Sequence, residues 1–207
     1  MSGNNTCKTS SNSMRDFSFL KVFRISIHHS RPNILKEVLW QPPLLTWLKC
    51  NIDGASCGNP GIAACGGIFR DHNANFVYGF AEPLGTCSAY VAEMCGFMRA
   101  IEIAFYKQWN HLWIESDSST VVSAFINPDH QVAWSLRTRW HNALFMARNM
   151  HVIVTHIYRE GNQVADLLAN HGLNLPSIVF LEDIPLFAKN CYDRNKNGLP
   201  SFRICVS

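Results

Sequence analysis

Four acidic side chains stand where strand-like and helix-like runs meet. Asp53 lies inside an alternating apolar run, Glu93 early in a helical run, Asp117 directly after a short strand-like run, and Asp166 in the first turns of a further helical run. Strand ends and the starts of neighbouring helices converge on one edge of a sheet, and four carboxylates gathered there repel unless positive charge lies between them. Hard divalent cations such as Mg2+ suit such a place, because they take oxygen ligands and keep several waters. A pair of these ions about 3.5–4 Å apart clamps the attacking and leaving oxygens of a phosphodiester, so the chemistry of the pattern is metal-assisted hydrolysis. Each acid also has a plainer reading as a helix cap or a solvated charge, and Asp117-Ser118-Ser119 is a good capping sequence. Asp53 resists that reading, since an unpaired carboxylate in mid-strand among apolar neighbours is costly.

The elements that must hold these acids follow from periodicity. Residues 47–56, 62–70 and 76–81 read as strands. They are joined by turns at Gly58-Asn59-Pro60-Gly61 and Asp71-His72-Asn73-Ala74-Asn75, and so form an antiparallel meander. The period then becomes helical over 89–109, with a strand at 111–116 and a helix at 120–125 stopped by Asn127-Pro128-Asp129. A longer helix at 133–150, a strand at 152–158 and a helix opening at Gly161-Asn162 and running through Leu173 complete the order β-β-β-α-β-α-α-β-α. This predicts an α/β protein with a five-stranded mixed sheet, its first three strands antiparallel, flanked by helices. Pro42-Pro43 and Pro176 set the expected boundaries: an N-terminal extension at 1–40, partly disordered, a domain at 41–176 and a C-terminal tail at 177–207.

Composition narrows the classes. The chain has 207 residues, 47% hydrophobic and 16% charged, with a formal net charge of +3. It is too apolar for a disordered chain, and a mildly basic balance permits a nucleic-acid partner without demanding one. No apolar run reaches the roughly 18–20 residues of a membrane span. Residues 17–27 are too short and, with Lys21 and Arg24, too basic, which leaves an amphipathic targeting segment as the other reading of that stretch. The eight cysteines show no Cys-x-x-Cys and follow no secretory opening, so reduced and mostly buried thiols are expected.

The motifs also carry a resemblance. Asn51-Ile52-Asp53-Gly54-Ala55-Ser56, then Gly58-Asn59-Pro60-Gly61 and Gly66-Gly67, resemble the opening of a type 1 ribonuclease H domain. Ala92-Glu93-Met94, Glu115-Ser116-Asp117-Ser118 and Arg159-Glu160-Gly161-Asn162-Gln163-Val164-Ala165-Asp166-Leu167-Leu168-Ala169 match its later motifs in order. The version is similar to the ribonuclease H-like domains of plant non-LTR retroelements and their stand-alone relatives. Residues 36–43 (KEVLWQPP) and 198–203 also resemble that group.

The resemblance implies a ribonuclease H-like fold and a hydrolase that cuts the RNA strand of RNA–DNA hybrids by a two-metal mechanism. It leaves 3′-hydroxyl and 5′-phosphate ends and selects RNA through the 2′-hydroxyl. Asp53 would bridge two Mg2+ ions, with Mn2+ as a substitute. Glu93 and Asp117 would complete the ion at the leaving oxygen, and Asp166 would help hold the ion that activates water. Gly54, Ala55, Ser56, Gly58, Asn59, Ser118, Arg159 and Asn162 are the expected substrate contacts; the glycines serve either close approach of a sugar–phosphate backbone or plain turn geometry. The chain departs from the better-studied enzymes at Tyr90, where they often carry Asn, and in the loop before Asp166, which holds Arg159 and Glu160 instead of His. The nearest histidine, His156, reads as structural or surface; Arg137 and Arg139 as phosphate contacts or a solvated face; Trp134 and Trp140 as stacking platforms or core. A monomer inside the cell, nuclear or cytoplasmic, with an RNA–DNA hybrid as partner and no membrane, is the expectation. The alternative is a domesticated retroelement-derived module that binds nucleic acid with weak catalysis or none. A transposase or integrase nuclease fits less well, because the Gly-Asn approach to Ala-Asp-Leu-Leu-Ala points to ribonuclease H.

Overall fold

The computed structural model describes Val22, residues 33–127 and residues 132–206. The expected leader at 1–13 and, but for Val22, the stretch 17–27 lie outside these residues, as does most of the Asn127-Pro128-Asp129 stop. The chain divides into two compact units, Met1–Lys36 with Arg203–Ser207, and Glu37–Phe202. Strands β1 (Asn33–Val38) and β8 (Ser201–Val206) form a two-stranded sheet of their own.

In the second unit, β2 (Leu48–Gly58), β3 (Gly61–Arg70) and β4 (Phe76–Cys87) are antiparallel neighbours. The first connection is the two-residue Asn59-Pro60 turn, with Gly58 at φ +107°, a conformation that favours glycine. The second is built on Asp71, whose Oδ1 accepts from the backbone N–H of Asn73 (2.9 Å) and Asn75 (2.8 Å). β4 runs six residues beyond the expected end at 81. Pro83, which has no N–H to give a ladder, is accommodated beside a register shift against Ala63/Ala64. Helix α1 (Ala89–Tyr106) follows, capped by Ser88 Oγ, which accepts from Val91 N at 3.3 Å.

Strand β5 (His111–Ser116) lies parallel to β2, and β6 (His151–His156) parallel to β5. Between them come α2 (Ser119–Ile126) and, after a 3-10 turn at Trp134–Leu136, α3 (Arg137–Arg148), so the single helix expected at 133–150 begins as a tighter turn. Helix α4 (Gln163–Gly172) is followed by β7 (Val179–Leu181), antiparallel to β4, and α5 (Leu186–Lys196).

The sheet order is β6-β5-β2-β3-β4-β7, six strands where the sequence predicts five. The sixth has three residues, too few for alternation to register. It lies in the stretch set apart as a tail, yet the compact unit continues to Phe202. Ala188 and Tyr192 of α5 are buried with Ile68, Val164 and Leu168, and the Tyr192 hydroxyl accepts from Phe76 N (2.8 Å) while donating to Ala74 O (3.0 Å). At the other end the unit starts before residue 41, and Trp40 is buried with Ala74 and Ile157.

The main core lies between the sheet and helices α1 to α3. It holds Ile52, Phe69, Phe80, Phe97, Ile101, Leu112 and Ile114 together with Trp140. Trp140 is therefore core and not a stacking platform; Trp134 is exposed, with the Arg137 guanidinium 5.0 Å from its ring centre. Arg139 is likewise committed inside the protein, pairing with Glu102 at 2.7 Å in a cluster with Arg99 and Glu82 that ties α1, α3 and β4 together. The seven described cysteines are unpaired thiols, with Cys50, Cys65 and Cys95 buried. Among the described residues no helix is long and apolar enough to cross a membrane.

Candidate active site

Two glycines decide how close the helices come to the strands that carry the acids. A Cβ on Gly54 would lie 2.4 Å from Glu93 N, so the bare backbone of β2 seats the first turns of α1 and brings Glu93 beside Asp53. Gly66, opposite Asp53 in the β2–β3 register, would place a Cβ 2.5 Å from Ala169 N, so it seats α4, the helix of Asp166. Gly54, expected to admit a nucleic-acid backbone, instead admits a helix of the protein. Gly54→Ala is expected to cost about 1–3 kcal/mol in stability through forced helix displacement. A shift of about 1 Å at Glu93 would also lower any activity of the site about 100-fold. Thermal melts and a cleavage assay check the two effects, and a variant that matches wild type in both would refute the seating role.

Asp53, Glu93 and Asp117 each offer a carboxylate oxygen within 4.8 Å of the others. Burial, and then the charges of Asp117 and Asp166, push the Asp53 carboxyl up to about 7. Glu93 is pushed up to about 9, by burial first and then by Asp53 and Asp117. Burial raises Asp117 as well, opposed by Arg159 and by its hydrogen bond from Asn162. Glu93 Oε2 is buried with no hydrogen-bond partner. Three crowded carboxylates, one with an orphaned oxygen, form a donor set that suits a hard divalent cation. The fourth acid stands at the rim: Asp166 is partly exposed and its Oδ1 pairs with Arg159 at 3.1 Å.

The expected substrate contacts divide. Arg159 has a side chain 75% exposed, Gly58 and Asn59 lie on the exposed hairpin turn, and Ala55 is half-buried. The Ser56 hydroxyl is engaged inside the protein, 2.6 Å from Gly58 O in the hairpin and 3.2 Å from Cys87 O at the end of β4, and Asn59 Oδ1 accepts from Ala89 N. Ser118 is the N-cap residue of α2 without a side-chain capping bond, so its backbone is tied down by Ser116 Oγ at 3.1 Å instead. Asp117, the other capping candidate, turns its carboxylate to Asn162 Nδ2 at 3.3 Å. Asn162 is not a substrate contact, because its side chain is buried and faces inward. His156 is exposed at the end of β6, with Nε2 3.1 Å from Asp117 O. Tyr90 buries its hydroxyl without a partner.

Sequence reasoning missed a set of buried polar residues beneath the acids: Lys49, Asn51, Arg70 and Glu115. One signal for them was available, since Lys49, Asn51 and Asp53 alternate with apolar Cys50 and Ile52 and must share a face of the strand.

A three-stranded antiparallel meander continued by two parallel strands, with acids gathered at β2, β5 and α1, defines an α/β protein of the ribonuclease H type. Over 61% of its length the chain is similar to ribonuclease H1 of the archaeon Halobacterium salinarum, at 26% identity and a TM-score of 0.57, covering 97% of that structure. It also shares its fold with LC11 ribonuclease H1 solved in complex with an RNA/DNA hybrid, at 22% identity and a TM-score of 0.56, over 61% of this chain and 96% of that one. The sequence model of the reverse transcriptase-like family matches residues 51–172, and the chain belongs to that family. An Arabidopsis thaliana protein that bears the name of a ribonuclease H protein is 34% identical over 149 residues, which is 70% of this chain and 24% of its own length. The chain thus spans about a quarter of that relative.

Proposed function

We propose that the protein is a divalent-metal-dependent endonuclease that hydrolyses the RNA strand of RNA–DNA hybrids. The observation that carries this reading is the convergence of Asp53, Glu93 and Asp117 on a ribonuclease H-type fold, with the orphaned oxygen of Glu93 inside the cluster. The three carboxylates would hold Mg2+, or Mn2+ in its place, with Asp166 completing the set at the rim. Bound there, the metal supplies Lewis-acid charge at the scissile phosphate and a water of lowered pKa. The protein's own groups do the positioning. Asp53 Oδ1 is fixed by the Gly54 N–H at 2.8 Å, and Arg159 holds Asp166 beside a cleft that the two line with Glu160 and Gln163. An exposed guanidinium next to such a cleft suits a backbone phosphate, which positions a nucleic acid without reading its sequence.

The test is incubation of the purified protein with a labelled RNA–DNA hybrid in Mg2+. Cleavage of the RNA strand to 3′-hydroxyl and 5′-phosphate ends, abolished by a chelator and absent on duplex DNA, is the expected result. An uncut hybrid in both Mg2+ and Mn2+ would overturn the proposal and leave a module that binds nucleic acid without cutting.

A further inference from the structure

Beneath the acidic cluster lies a polar network with its own order. Asn51 is fully buried, and its carboxamide uses every position it has. Oδ1 accepts from Trp40 Nε1 (2.8 Å) and Arg70 Nη2 (2.7 Å), while Nδ2 donates to Glu115 Oε2 (3.2 Å) and Asn162 Oδ1 (3.2 Å). A primary amide has two acceptor lone pairs and two N–H donors. Turned over, this one would face two donors with N–H groups and two acceptors with its carbonyl, so it has a single satisfied orientation. That orientation sets the next residue. Asn162 receives Asn51 at Oδ1 and must therefore present Nδ2 on its other side, where it donates to Ile52 O (2.8 Å) and Asp117 Oδ1 (3.3 Å). Ile52 directly precedes Asp53. One carboxamide thus joins the backbone beside the first acid to the side chain of the third.

We propose that Asn51 and Asn162 are positioning residues: the directed chain of donors from Arg70 through Asn51 and Asn162 to Asp117 sets how Asp117 faces Asp53 and Glu93, and thereby the affinity of the cluster for a divalent cation. The proposal rests on the reading of that cluster as a cation site. Asn51 is paired at every position, although Arg70 Nε beside it has no partner, and each link broken at the two amides strands a polar group in low dielectric, which favours this one arrangement. Both amides are buried and spend their polar atoms inside the protein, which leaves neither placed to contact a nucleic acid.

The experiment is calorimetric titration of Mn2+ into the full chain without nucleic acid, beside steady-state kinetics on a hybrid. Asn162→Ala is expected to weaken Mn2+ binding about 10–100-fold, the usual effect of losing an outer hydrogen-bond partner of a metal ligand, while KM for the hybrid stays within about twofold. Asn51→Asp keeps the acceptor that Arg70 and Trp40 need but removes the donors. Asn162 then turns its carbonyl toward Asp117, and Mn2+ binding weakens by a similar factor. Because the two act in series, the double variant is expected to be no weaker than Asn162→Ala alone; independent packing defects would instead multiply. A folded Asn162→Ala with wild-type Mn2+ affinity, or multiplying effects, overturns the relay. Wild-type protein that binds Mn2+ but cuts no hybrid overturns the proposed reaction and leaves the relay to be decided by these affinities. Wild-type protein that binds no divalent ion overturns both.

Discussion

Asp53→Asn is expected to abolish hybrid cleavage and, in the same protein, to raise the melting temperature measured without metal. The activity loss is about 1,000-fold or more, since about 4 kcal/mol of transition-state stabilisation is at stake when a central carboxylate of such a site is lost. The gain in stability has the same origin. Asp53 is buried beside Glu93 and Asp117, and the folded protein carries its repulsion and desolvation whenever no cation is bound.

The sign follows from linkage. Asp53 rises from 3.8 to about 7 on folding and Glu93 from 4.5 to about 9, so across that interval the folded state binds more protons than the unfolded one. Stability therefore falls as pH rises from about 4 to about 9. The metal-free protein should melt on the order of 5 °C lower near pH 8 than near pH 5. Mg2+ or Mn2+ at the higher pH should recover most of the difference, because a ligand that binds only the folded state stabilises it. In Asp53→Asn the pH dependence should flatten, as one titrating carboxyl is gone and Glu93 has lost its nearest like charge. Melting curves with and without chelator at the two pH values decide the matter. Metal-free wild type that is more stable at the alkaline end would contradict the crowded-carboxylate account.

The second large effect is expected at Trp40, outside the domain as bounded from sequence. Its indole is 2% exposed, donates to Asn51 Oδ1, and lies under the Arg70 guanidinium at 3.6 Å with Lys49 Nζ at 5.2 Å. Both cations are themselves buried. Desolvation lowers Lys49 to about 8 and Arg70 to about 9, while Glu115, 2.9 Å from Lys49, opposes the shift in both. Removing a buried aromatic side chain costs about 3–5 kcal/mol, and a desolvated cation–π contact adds about 2 kcal/mol. Trp40→Ala should therefore lower the melting temperature by roughly 10 °C or more, and a chain begun at residue 41 should suffer the same loss. Trp134→Ala is the contrast: that side chain is 82% exposed, and a change within about 0.5 kcal/mol is expected. Equal effects at the two tryptophans would refute the role of Trp40 as the buried platform for Lys49 and Arg70.

The two tryptophans also mark where sequence reasoning reaches its limit. Strand and helix order between residues 47 and 173, the antiparallel meander and the three acids that converge were legible in the chain, because periodicity, turn residues and motif spacing are local properties; the strands at 33–38, 179–181 and 201–206 and the helix at 186–196 were not. Asp53 stood out for the same reason, as a charge in an apolar strand. The rest depends on distances that no local pattern encodes. Asn51 meets Asn162 across 111 positions, and nothing in either neighbourhood announces the other. Arg139 reads as a solvated cation until α1 and β4 bring Glu102 and Glu82 to it. Gly54 reads as a turn or ligand glycine, and Gly66 only as a small residue in a strand, until the helices packed on them show which backbone fills the missing Cβ. Asp166 has the right motif, yet its partial exposure and its pairing with Arg159 are properties of the folded chain that the motif does not carry. Local order along the chain sets which side chains are present and, between residues 47 and 173, which elements carry them. Which of them are buried together follows from packing alone, because burial and hydrogen-bond satisfaction are properties of the packed chain.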